Sequence, residues 1–254
     1  MKKERQHTDL FGSIKSKVMN WTKFQDQFDE SWHIKMKPFI ESEACDTIYE
    51  FLKKEAKRGK KIAPLSSNVF RAFRETKFTD IKAIMVGMCP YHTFKNGEPV
   101  ADGLLMGCST TGYPQPSLDK FYDALEKEFH DGLNLKMNKN PDVSYLANQG
   151  VLMLNAALTV EANKAGSHNA IWEPFIKYLF ENVLDTTGAP IIFLGKDAAK
   201  YERYVAPFTW TFTVSHPASA SYKNTDWDTE GVFKKVSQIV KQNNNLDINW
   251  LDVS

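Results

Sequence analysis

The sequence predicts a single α/β domain built around a mainly parallel, four-stranded sheet. Two observations predict this fold class: four short apolar runs of the kind that form fully buried strands, and segments of helical periodicity that alternate with them. Strands that alternate with helices of this length are joined by crossovers, which favours parallel pairing. The chain has 254 residues, of which 42% are apolar and 25% charged, so it is long enough to bury one large core.

An N-terminal extension, a helix and a buried strand are the first predicted elements. Residues 1–30 are polar and irregular, and we expect them to pack on the domain edge or to be partly disordered. Apolar residues then recur at helical spacing from Glu43 to about Lys57, with Ser42 as the expected N-cap. The apolar run over 82–86 predicts a buried strand that ends at Gly87.

The rest of the chain continues this alternation. Ser117 is the expected N-cap of a helix that runs to about Phe129. No internal repeat or second boundary interrupts the order, so we expect residues 31–254 to form one domain. The later elements are a buried strand over 151–154 ended by Asn155, a helix over 171–184, strands over 190–194 and 209–214, and an amphipathic helix with Val232, Val236, Ile239 and Val240.

Polar side chains follow the predicted strands at the points where the strands end. Open parallel sheets bind their ligands beyond the carboxyl ends of the strands. We therefore expect a functional site that contains two histidines, a cysteine, a tyrosine and an asparagine: His92, His216, Cys89, Tyr91 and Asn155.

Several function classes are disfavoured by what the sequence lacks. No run approaches the roughly 18 apolar residues of a membrane helix, and the charged N-terminus leads into no apolar signal segment. The three cysteines lack C-x-x-C spacing, the histidines lack metal-site spacing, and no G-x-G-x-x-G follows the first strand. We expect no metal or other cofactor, and a reducing, cytoplasmic location.

The net charge of +1 argues against a protein that coats nucleic acid. One stretch departs from this balance, because residues 51–77 hold nine basic residues opposed only by Glu55 and Glu75. Composition leaves two interpretations open: a solvated helix end and loop, or a positive patch that faces a polyanion.

Five segments at and beyond the predicted strand ends resemble the motifs of one enzyme family. Residues 87–92, Gly-Met-Cys-Pro-Tyr-His, look like a G-Q-D-P-Y-H water-activating loop, and residues 149–160 are very similar to Q-G-V-L-L-L-N-x-x-L-T-V. The others are 113–117, similar to a proline-rich loop, 165–168, which match A-x-S-H, and 216–221, similar to an H-P-S-P-L-S loop. From about residue 31 to its end, the chain resembles the family 1 uracil-DNA glycosylases.

The resemblance implies a three-layer αβα domain that binds DNA as a monomer and needs no cofactor. Such an enzyme turns a nucleotide out into a pocket and hydrolyses its N-glycosidic bond. By match, His216 would stabilise the departing uracil anion, Asn155 would bind the N3/O4 edge of the base, and Tyr91 would exclude a 5-methyl group. His92 is a further catalytic candidate from the same loop as Tyr91.

The same match assigns further residues to the base and to the DNA backbone. Met88 replaces a glutamine of the first loop, Met106 replaces a phenylalanine that stacks on uracil, and Ala220 replaces a leucine wedge. These changes favour single-stranded DNA or a modified pyrimidine as the substrate. The residues placed to hold backbone phosphates are Ser117, Lys196, Ser219 and Ser221.

Cys89 occupies the position of the family's aspartate, which positions water and stabilises the cationic sugar. Three interpretations of Cys89 are open. It is a functionally neutral replacement in a weak or inactive enzyme, or another carboxylate takes over the role of the aspartate, or Cys89 is a nucleophilic thiolate, which requires a lowered pKa. The candidate carboxylates are Asp102, which replaces a histidine, and Glu98 in the long loop over 93–100. Asp102 also suits a turn cap, which is the more ordinary role.

The leading hypothesis is a glycosylase that excises uracil or a related modified pyrimidine from single- or double-stranded DNA. The alternative is a catalytically impaired DNA-binding or interaction module on the same scaffold, which Cys89 and Ala220 favour. A Cys-His hydrolase that uses Cys89 with His92 or His216 is allowed by the residue types, but the surroundings of Cys89 match no signature of that class.

Overall fold

A parallel sheet with helices around it is the central feature of the computed structural model, which describes residues 24–129 and 137–252. None of the helices within these ranges is long and apolar enough to cross a membrane. The helices are α1 (His33–Ile40), α2 (Glu43–Lys57), α3 (Arg71–Glu75), α4 (Pro116–Phe129), α5 (Ser144–Ala147), α6 (Asn169–Asn182), α7 (Lys196–Ala199), α8 (Pro217–Lys223) and α9 (Val232–Asn244). The strands are β1 (Ile62–Ala63), β2 (Ala83–Gly87), β3 (Phe94–Lys95), β4 (Glu98–Pro99), β5 (Val151–Asn155), β6 (Val160–Glu161), β7 (Ile191–Leu194) and β8 (Thr211–Val214).

Four of these strands form one sheet in the order β5-β2-β7-β8, and each neighbouring pair is parallel. The register places Gly87 opposite Asn155, at the carboxyl ends of β2 and β5. All residues of β2, β5 and β7 are buried, whereas β8, one of the two edge strands, is partly exposed. The four-stranded parallel sheet predicted from the sequence is confirmed, and the segments that follow its strands meet at one edge.

Two groups of helices cover the sheet and complete the three-layer αβα arrangement. In one group, α2 packs against α1 and α6, and Phe180 of α6 contacts Phe193 of β7 with ring centroids 6.0 Å apart. In the other, α4 packs against α8 and α9, and Phe121 meets Phe233 edge to face at 5.6 Å. The predicted fold class is confirmed, with a core that spans both groups.

Helix α2 has the bounds that its periodicity predicts. The hydroxyl of Ser42 accepts the backbone N–H of Cys45 at 3.3 Å, which satisfies one free donor of the first turn. The prediction for α4 was wrong in one respect, because this helix begins at Pro116 and Ser117 lies inside its first turn. Proline suits a first helical position, where its missing N–H costs nothing, and this leaves the Ser117 hydroxyl free for another contact.

The described chain packs against the core from its first residues. Phe24 and Phe28 are buried, and both contact Phe70, with ring centroids 6.3 and 4.9 Å away. Part of the segment assigned to the extension, residues 24–30, therefore belongs to the packed body. Residues 1–23, which complete the predicted extension, lie outside the described residues.

Four of the nine basic residues in the stretch over 51–77 form ion pairs within the domain: Lys53, Arg58, Lys60 and Arg71. Glu55 binds both Arg58 and Lys60, and Arg71 binds three carboxylates at once. These pairs favour the first interpretation of the stretch, a structural and solvated region, over a continuous patch for a polyanion. The basic residues of α2 that stay exposed are Lys54 and Lys57.

Candidate active site

A cavity of about 960 Å³ opens where β2, β7 and β8 end. This edge is where open parallel sheets bind their ligands. Within the described residues, no three His, Cys, Asp or Glu side chains converge in a way that could hold a metal ion. The lining comes from residues 88–93 after β2, from the end of β7 with 195–197, and from the end of β8 with 215–216. The exposed side of α8, residues 105–106, residues 115–117 at the start of α4 and Ala165 complete it.

Buried polar atoms without hydrogen-bond partners cluster around this cavity. His92 and Gln115 line it, and neither Nδ1 of His92 nor Nε2 of Gln115 has a partner among the described residues. Buried polar groups are nearly always hydrogen-bonded, so such a cluster marks a place built for a polar ligand or for water.

Asn155 is the most conspicuous of these groups. It ends β5, is 2% exposed, and both its Oδ1 and its Nδ2 lack a partner within the described chain. Gly87 allows this packing, because a Cβ built there would lie 2.4 Å from Leu105 Cδ1 and 3.4 Å from Asn155 Oδ1. Leu105 also lines the cavity, so the Asn155 carboxamide lies next to the cavity wall.

His216 follows β8, the outer strand on the side away from β5, and lines the cavity at the carboxyl ends of the strands. Its Nδ1 accepts the backbone N–H of Ala218 at 3.1 Å, which makes His216 the N-cap of α8. Burial lowers the pKa of His216 to about 4, so the ring is neutral near pH 7. Because Nδ1 is an acceptor, the ring proton is assigned to Nε2, which is then a hydrogen-bond donor without a partner in the described chain.

Tyr91 is held in the cavity wall by the first turn of α4. Its hydroxyl is 2.6 Å from the Ser117 hydroxyl. Burial raises the pKa of Tyr91 well above its usual value, so the phenol stays neutral. Ser117 is itself buried, and its hydroxyl orients Tyr91; this contact takes the place of the N-cap role expected for it.

Cys89 lines the cavity as a neutral thiol. Burial raises its pKa, the charge of Asp197 raises it further, and the backbone N–H of Gly166, which donates to Sγ at 3.4 Å, lowers it only in part. A protonated thiol is a poor nucleophile. The geometry therefore disfavours the third interpretation of Cys89, in which it is a nucleophilic thiolate.

Asp102 does not supply a carboxylate to the cavity, which corrects the catalytic role considered for it. It is buried outside the lining, and Arg71 binds its Oδ2 at 2.8 Å. The backbone N–H groups of Leu104 and Ser109 donate to its two oxygens at 3.2 and 3.0 Å. Its charge and acceptors are used to fix the turn over 102–109, as the ordinary interpretation expects. Glu98, the other candidate, lies in the exposed hairpin of β3 and β4 and is also absent from the lining.

The carboxylate that does line the cavity is Asp197. Gly195 takes the left-handed φ of +86° at the end of β7, and this turn starts α7 with Lys196 and Asp197 at the cavity. A Cβ on Gly195 would come within 3.1 Å of the Cβ of His216, so the turn also sits close beside His216. Lys200, one turn later, forms an ion pair with Asp197.

Met88 and Met106 both line the cavity, as expected for residues that contact a base. Met106 is buried and adopts a φ of +59°, a strained conformation for a residue with a side chain. Such strain persists only where the surroundings enforce it, and it is common at functional sites. The backbone conformation therefore fixes the position of Met106 in the cavity wall, although its side chain is flexible.

The segment after His216 forms helix α8 where a loop was expected. His216 caps it and Pro217 occupies its first turn, a combination that favours a helix start. Ser219 and Ser221 line the cavity, but Ala220 is buried against the core, which corrects its assignment as a replaced wedge. The large side chain that α8 presents at the cavity is Tyr222.

Comparison with known proteins agrees with this geometry. The family model of the uracil DNA glycosylase superfamily matches residues 73–241. A uracil-DNA glycosylase of Pseudomonas aeruginosa (strain UCBPP-PA14) is 31% identical over 229 residues, which cover 88% of this chain and 94% of the relative. One from Acinetobacter baumannii (strain ATCC 17978) is 30% identical over 228 residues, covering 88% and 92%. The chain belongs to the uracil DNA glycosylase superfamily.

Solved structures of the superfamily share the fold. The crystal structure of mimivirus uracil-DNA glycosylase aligns with a TM-score of 0.76 at 22% identity, and covers 91% of this chain and 89% of that one. The enzyme from Nitratifractor salsuginis aligns with a TM-score of 0.60 at 17% identity, covering 93% and 100%. At these identities the likeness concerns the αβα fold alone.

Two residues at the site of this glycosylase-superfamily member were missed by the sequence analysis. Asp197 is the third residue after β7, directly after Lys196, so the strand-end rule that selected Lys196 could have found it. Tyr222 lies four residues after Ala218, on the same side of α8. Finding it required a helix at 217–223, and the signal for that helix is the His216-Pro217 pair.

Proposed function

We propose that this protein is a DNA glycosylase that excises uracil, or a closely related modified pyrimidine, by hydrolysing the N-glycosidic bond. One observation carries the proposal: both polar atoms of the Asn155 carboxamide lack a partner, and a neutral His216, whose Nδ1 is already used by Ala218, lies at the same edge of the sheet. Uracil offers a donor and an acceptor at N3 and O4, which a carboxamide can bind, and an acceptor at O2 for an N–H donor. Membership of the superfamily and the relatives named uracil-DNA glycosylase support the same reaction.

Recognition of the base follows from the side chains around the cavity. Oδ1 of Asn155 accepts from uracil N3–H, and Nδ2 donates to O4, which satisfies both orphaned atoms. Tyr91 closes the cavity beside C5 of the base and leaves no room for the methyl group of thymine. Leu105 lines the cavity and, like Oδ1 of Asn155, lies close to Gly87, so we expect this side chain to move when the base enters.

The chemical step is the loss of uracil as an anion. The electron pair of the C1′–N1 bond passes to the base, and the sugar becomes oxocarbenium-like. The Nε2–H of His216 donates to O2 and stabilises the negative charge that develops there. Water then adds its oxygen to C1′ and gives up a proton, while the uracil anion takes a proton at N1, so that free base and an abasic site result.

The cationic sugar needs an anion close by, and Cys89 is a protonated thiol. Asp197 is the one carboxylate among the cavity-lining residues in the described part of the chain. Its charge reaches Cys89, because it contributes to the raised pKa of that thiol. We therefore assign to Asp197 the stabilisation of the cationic sugar and the positioning of water. The carboxylate is then supplied from the end of β7, and not from the loop after β2.

The direct test uses single-stranded and double-stranded oligonucleotides, each of which contains one uracil, 5-hydroxymethyluracil or modified cytosine. Alkali-labile abasic sites are scored after incubation. We expect cleavage of the uracil or 5-hydroxymethyluracil strand, and its loss in His216→Leu and Asn155→Ala. Absence of cleavage on every substrate at high protein concentration would remove the proposed reaction.

The second candidate is a DNA-binding module without catalytic activity, which the neutral Cys89 thiol favours. The variant Cys89→Asp separates the two candidates, because it restores a carboxylate to the loop after β2. Strong uracil excision by this variant, where the parent protein has none, would identify an intact pocket that lacks only its activating group.

DNA is the proposed partner, bound by one copy of the chain inside the cell. The thiols of Cys45, Cys89 and Cys108 are free, as in proteins of a reducing compartment. Ser219, Ser221 and Lys196 surround the cavity and are suited to the phosphates on either side of the bound nucleotide.

A further inference from the structure

Strand β8 is an open edge of the central sheet. It pairs with β7 on one side only. The carbonyl groups of Trp210 and Val214 accept two backbone N–H groups of the β7 segment, each at 2.8 Å, and the backbone groups of successive residues in a strand point to alternate sides. The N–H and C=O groups of Thr211 and Thr213 therefore point away from β7, where no backbone group of the described residues binds them.

The other edge of the sheet, β5, is covered by the chain itself. All of its residues are buried. The backbone N–H of Leu105 donates to the carbonyl of Met153 at 3.0 Å, and the hydroxyl of Thr76 donates to the carbonyl of Val151 at 3.5 Å. An uncovered edge strand is a template for pairing with another chain, and proteins usually cover or charge such edges. In the described part of the chain, β8 is the edge of this sheet that stays open.

The side chains along the open edge are uncharged and in large part exposed. Residues 204–214 contain no charged residue. Phe208 is 81% exposed and Trp210 57% exposed, whereas Phe212 is partly buried. Threonine and aromatic residues alternate over 208–213, which is typical of a strand, and no lysine or proline within these residues opposes pairing. The edge is therefore suited to an uncharged strand as its partner.

A second copy of β8 is such a strand, because two copies complement each other in an antiparallel pair. With Phe212 on the two-fold axis, Thr211 of one copy lies opposite Thr213 of the other, and the two residues exchange hydrogen bonds. This register satisfies the outward-facing backbone groups of both threonines in both copies. Trp210 of each copy meets Val214 of the other on one face, an aromatic–β-branched pair of the kind that stabilises sheets. The net charge of +1 leaves little repulsion between two copies.

We propose that β8 pairs with β8 of a second copy of this chain, so that the two sheets join into one continuous sheet. The same surface of each copy forms the interface, and association stops at two copies because β5 is covered. Antiparallel pairing points the carboxyl ends of the two sheets in opposite directions, so each copy binds DNA in its own cavity. The family resemblance implies a monomer, whereas the open edge favours a pair.

The size of the edge predicts that this dimer is weak. A fully covered aromatic side chain buries about 150–250 Å², so the exposed parts of Phe208 and Trp210 contribute at most about 300 Å² per copy. The two copies together then bury about 600 Å² through these side chains, about half of the area in the smallest stable complexes. We therefore expect pairing at micromolar concentrations and above.

Sedimentation velocity of the full chain, from about 1 to about 300 µM, measures the association. Trp210→Lys places a charge on the edge, and Thr211→Pro removes an outward N–H that β7 does not use. Ile34→Lys is the matched control, because Ile34 is an apolar residue on α1 that is 82% exposed. We expect the mean mass of the parent to rise from that of one chain toward that of two. Both edge variants should raise the dissociation constant at least tenfold, and Ile34→Lys should leave it within twofold.

A cysteine cross-link tests the register of the pair. In Phe212→Cys the two new thiols face each other across the axis, with Cα atoms about 4.5 Å apart, which is within the range of a disulfide. Phe208→Cys is the control, since it is well exposed but does not face itself in this register. After mild oxidation, a non-reducing gel should show covalent dimer for Phe212→Cys and at least tenfold less for Phe208→Cys and the parent.

A parent that sediments as one chain at every concentration would overturn the proposal and leave the edge to a partner of another kind. A dimer that Trp210→Lys and Thr211→Pro do not weaken, while circular dichroism shows both variants folded, would place the interface elsewhere and reject it as well. Equal cross-linking by Phe212→Cys and Phe208→Cys would reject the register. None of these measurements depends on base excision, so the proposed function is tested separately.

Discussion

At the scale of single residues, His216 ties the activity to pH. Its Nδ1 accepts from Ala218 only while the ring is neutral, and burial lowers its pKa to about 4. Protonation would place a second N–H against that donor and disturb the start of α8. Activity that depends on neutral His216 is therefore present above this pKa and is lost as the pH falls through about 4.

We accordingly expect no step near pH 6.5 in the kcat/KM profile for uracil excision, and an acid limb that falls toward pH 4. The profile is measured on a single-stranded oligonucleotide from pH 4 to 9, with circular dichroism at each pH to establish that the protein stays folded. The acid limb should disappear from the residual activity of His216→Gln, which cannot titrate. A step near pH 6.5 that His216→Gln removes would contradict a buried, neutral ring.

Asp197 and Cys89 make a second prediction at this scale. The isosteric change Asp197→Asn removes the anion from the cavity, and loss of one electrostatic group at a reacting centre typically costs about 100-fold in kcat. The double variant Asp197→Asn with Cys89→Asp should recover most of this loss, because it returns a carboxylate to the cavity from the loop after β2. The measurement is single-turnover excision of uracil.

Lys200→Met is the control for the Asp197 variant, since it removes the ion-pair partner of Asp197 and leaves the carboxylate in place. Full activity in Asp197→Asn would exclude Asp197 from the reaction. A double variant as slow as Asp197→Asn would show that a carboxylate at position 89 cannot serve this site.

Asp102 illustrates a carboxylate with a structural role. Arg71 and two backbone N–H groups use both of its oxygens in the interior. Asp102→Asn leaves Arg71 with its other two carboxylates, Glu75 and Asp142, so we expect a loss of about 2–3 kcal/mol in the free energy of unfolding, below the usual cost of a broken buried pair. Urea denaturation measures this loss, and kcat at 25 °C should stay within twofold of the parent. A large fall in kcat without a loss of stability would return Asp102 to the catalytic candidates.

At the scale of elements, local sequence signals predicted the helices and strands whose formation depends mainly on residues close in sequence. The strand over 151–155 and helix α2 follow from apolar spacing and from the Ser42 cap, and both match the structure. Parallel strands end at one edge, so the positions of Asn155 and His216 at that edge followed from the strands alone. The direction of Ala220 did not, because it depends on how α8 rotates when it packs against α4.

The packing of α8 gives the prediction for this scale. A leucine at position 220 would restore the side chain of the resembled family, but Ala220 is buried, so we expect three more carbons to crowd the packing there. Ala220→Leu is therefore expected to lower the free energy of unfolding by about 1–3 kcal/mol and not to improve duplex activity. Lys223→Leu, exposed on the same helix, is the control and should change stability by less than about 0.5 kcal/mol. Unchanged stability with faster excision from duplex DNA would show that position 220 reaches the DNA.

At the scale of the whole molecule, the charge of the chain and its distribution limit how DNA is held. The net charge is +1, and four of the nine basic residues in the stretch over 51–77 are paired with carboxylates. Composition alone could not separate a paired stretch from a free patch, because the partners Glu161, Asp102 and Asp142 are distant in sequence. Among the described residues Lys196 is the one lysine or arginine that lines the cavity, so we expect few phosphate contacts there.

A small number of phosphate contacts predicts that DNA binding depends only weakly on salt concentration. Each phosphate contact to a single strand contributes about −0.7 to the slope of log K against log salt concentration. Lys196 lines the cavity, so Lys196→Ala should reduce the slope by about 0.7, whereas Lys54→Ala, on exposed α2, should leave it unchanged. Both substitutions are made in the His216→Leu variant, so that the DNA is not cut. Fluorescence anisotropy with a single-stranded uracil oligonucleotide then gives the slopes between 50 and 300 mM salt. An equal change in both variants would mean that phosphates are held by the surface of α2 as well, and that DNA extends well beyond the cavity.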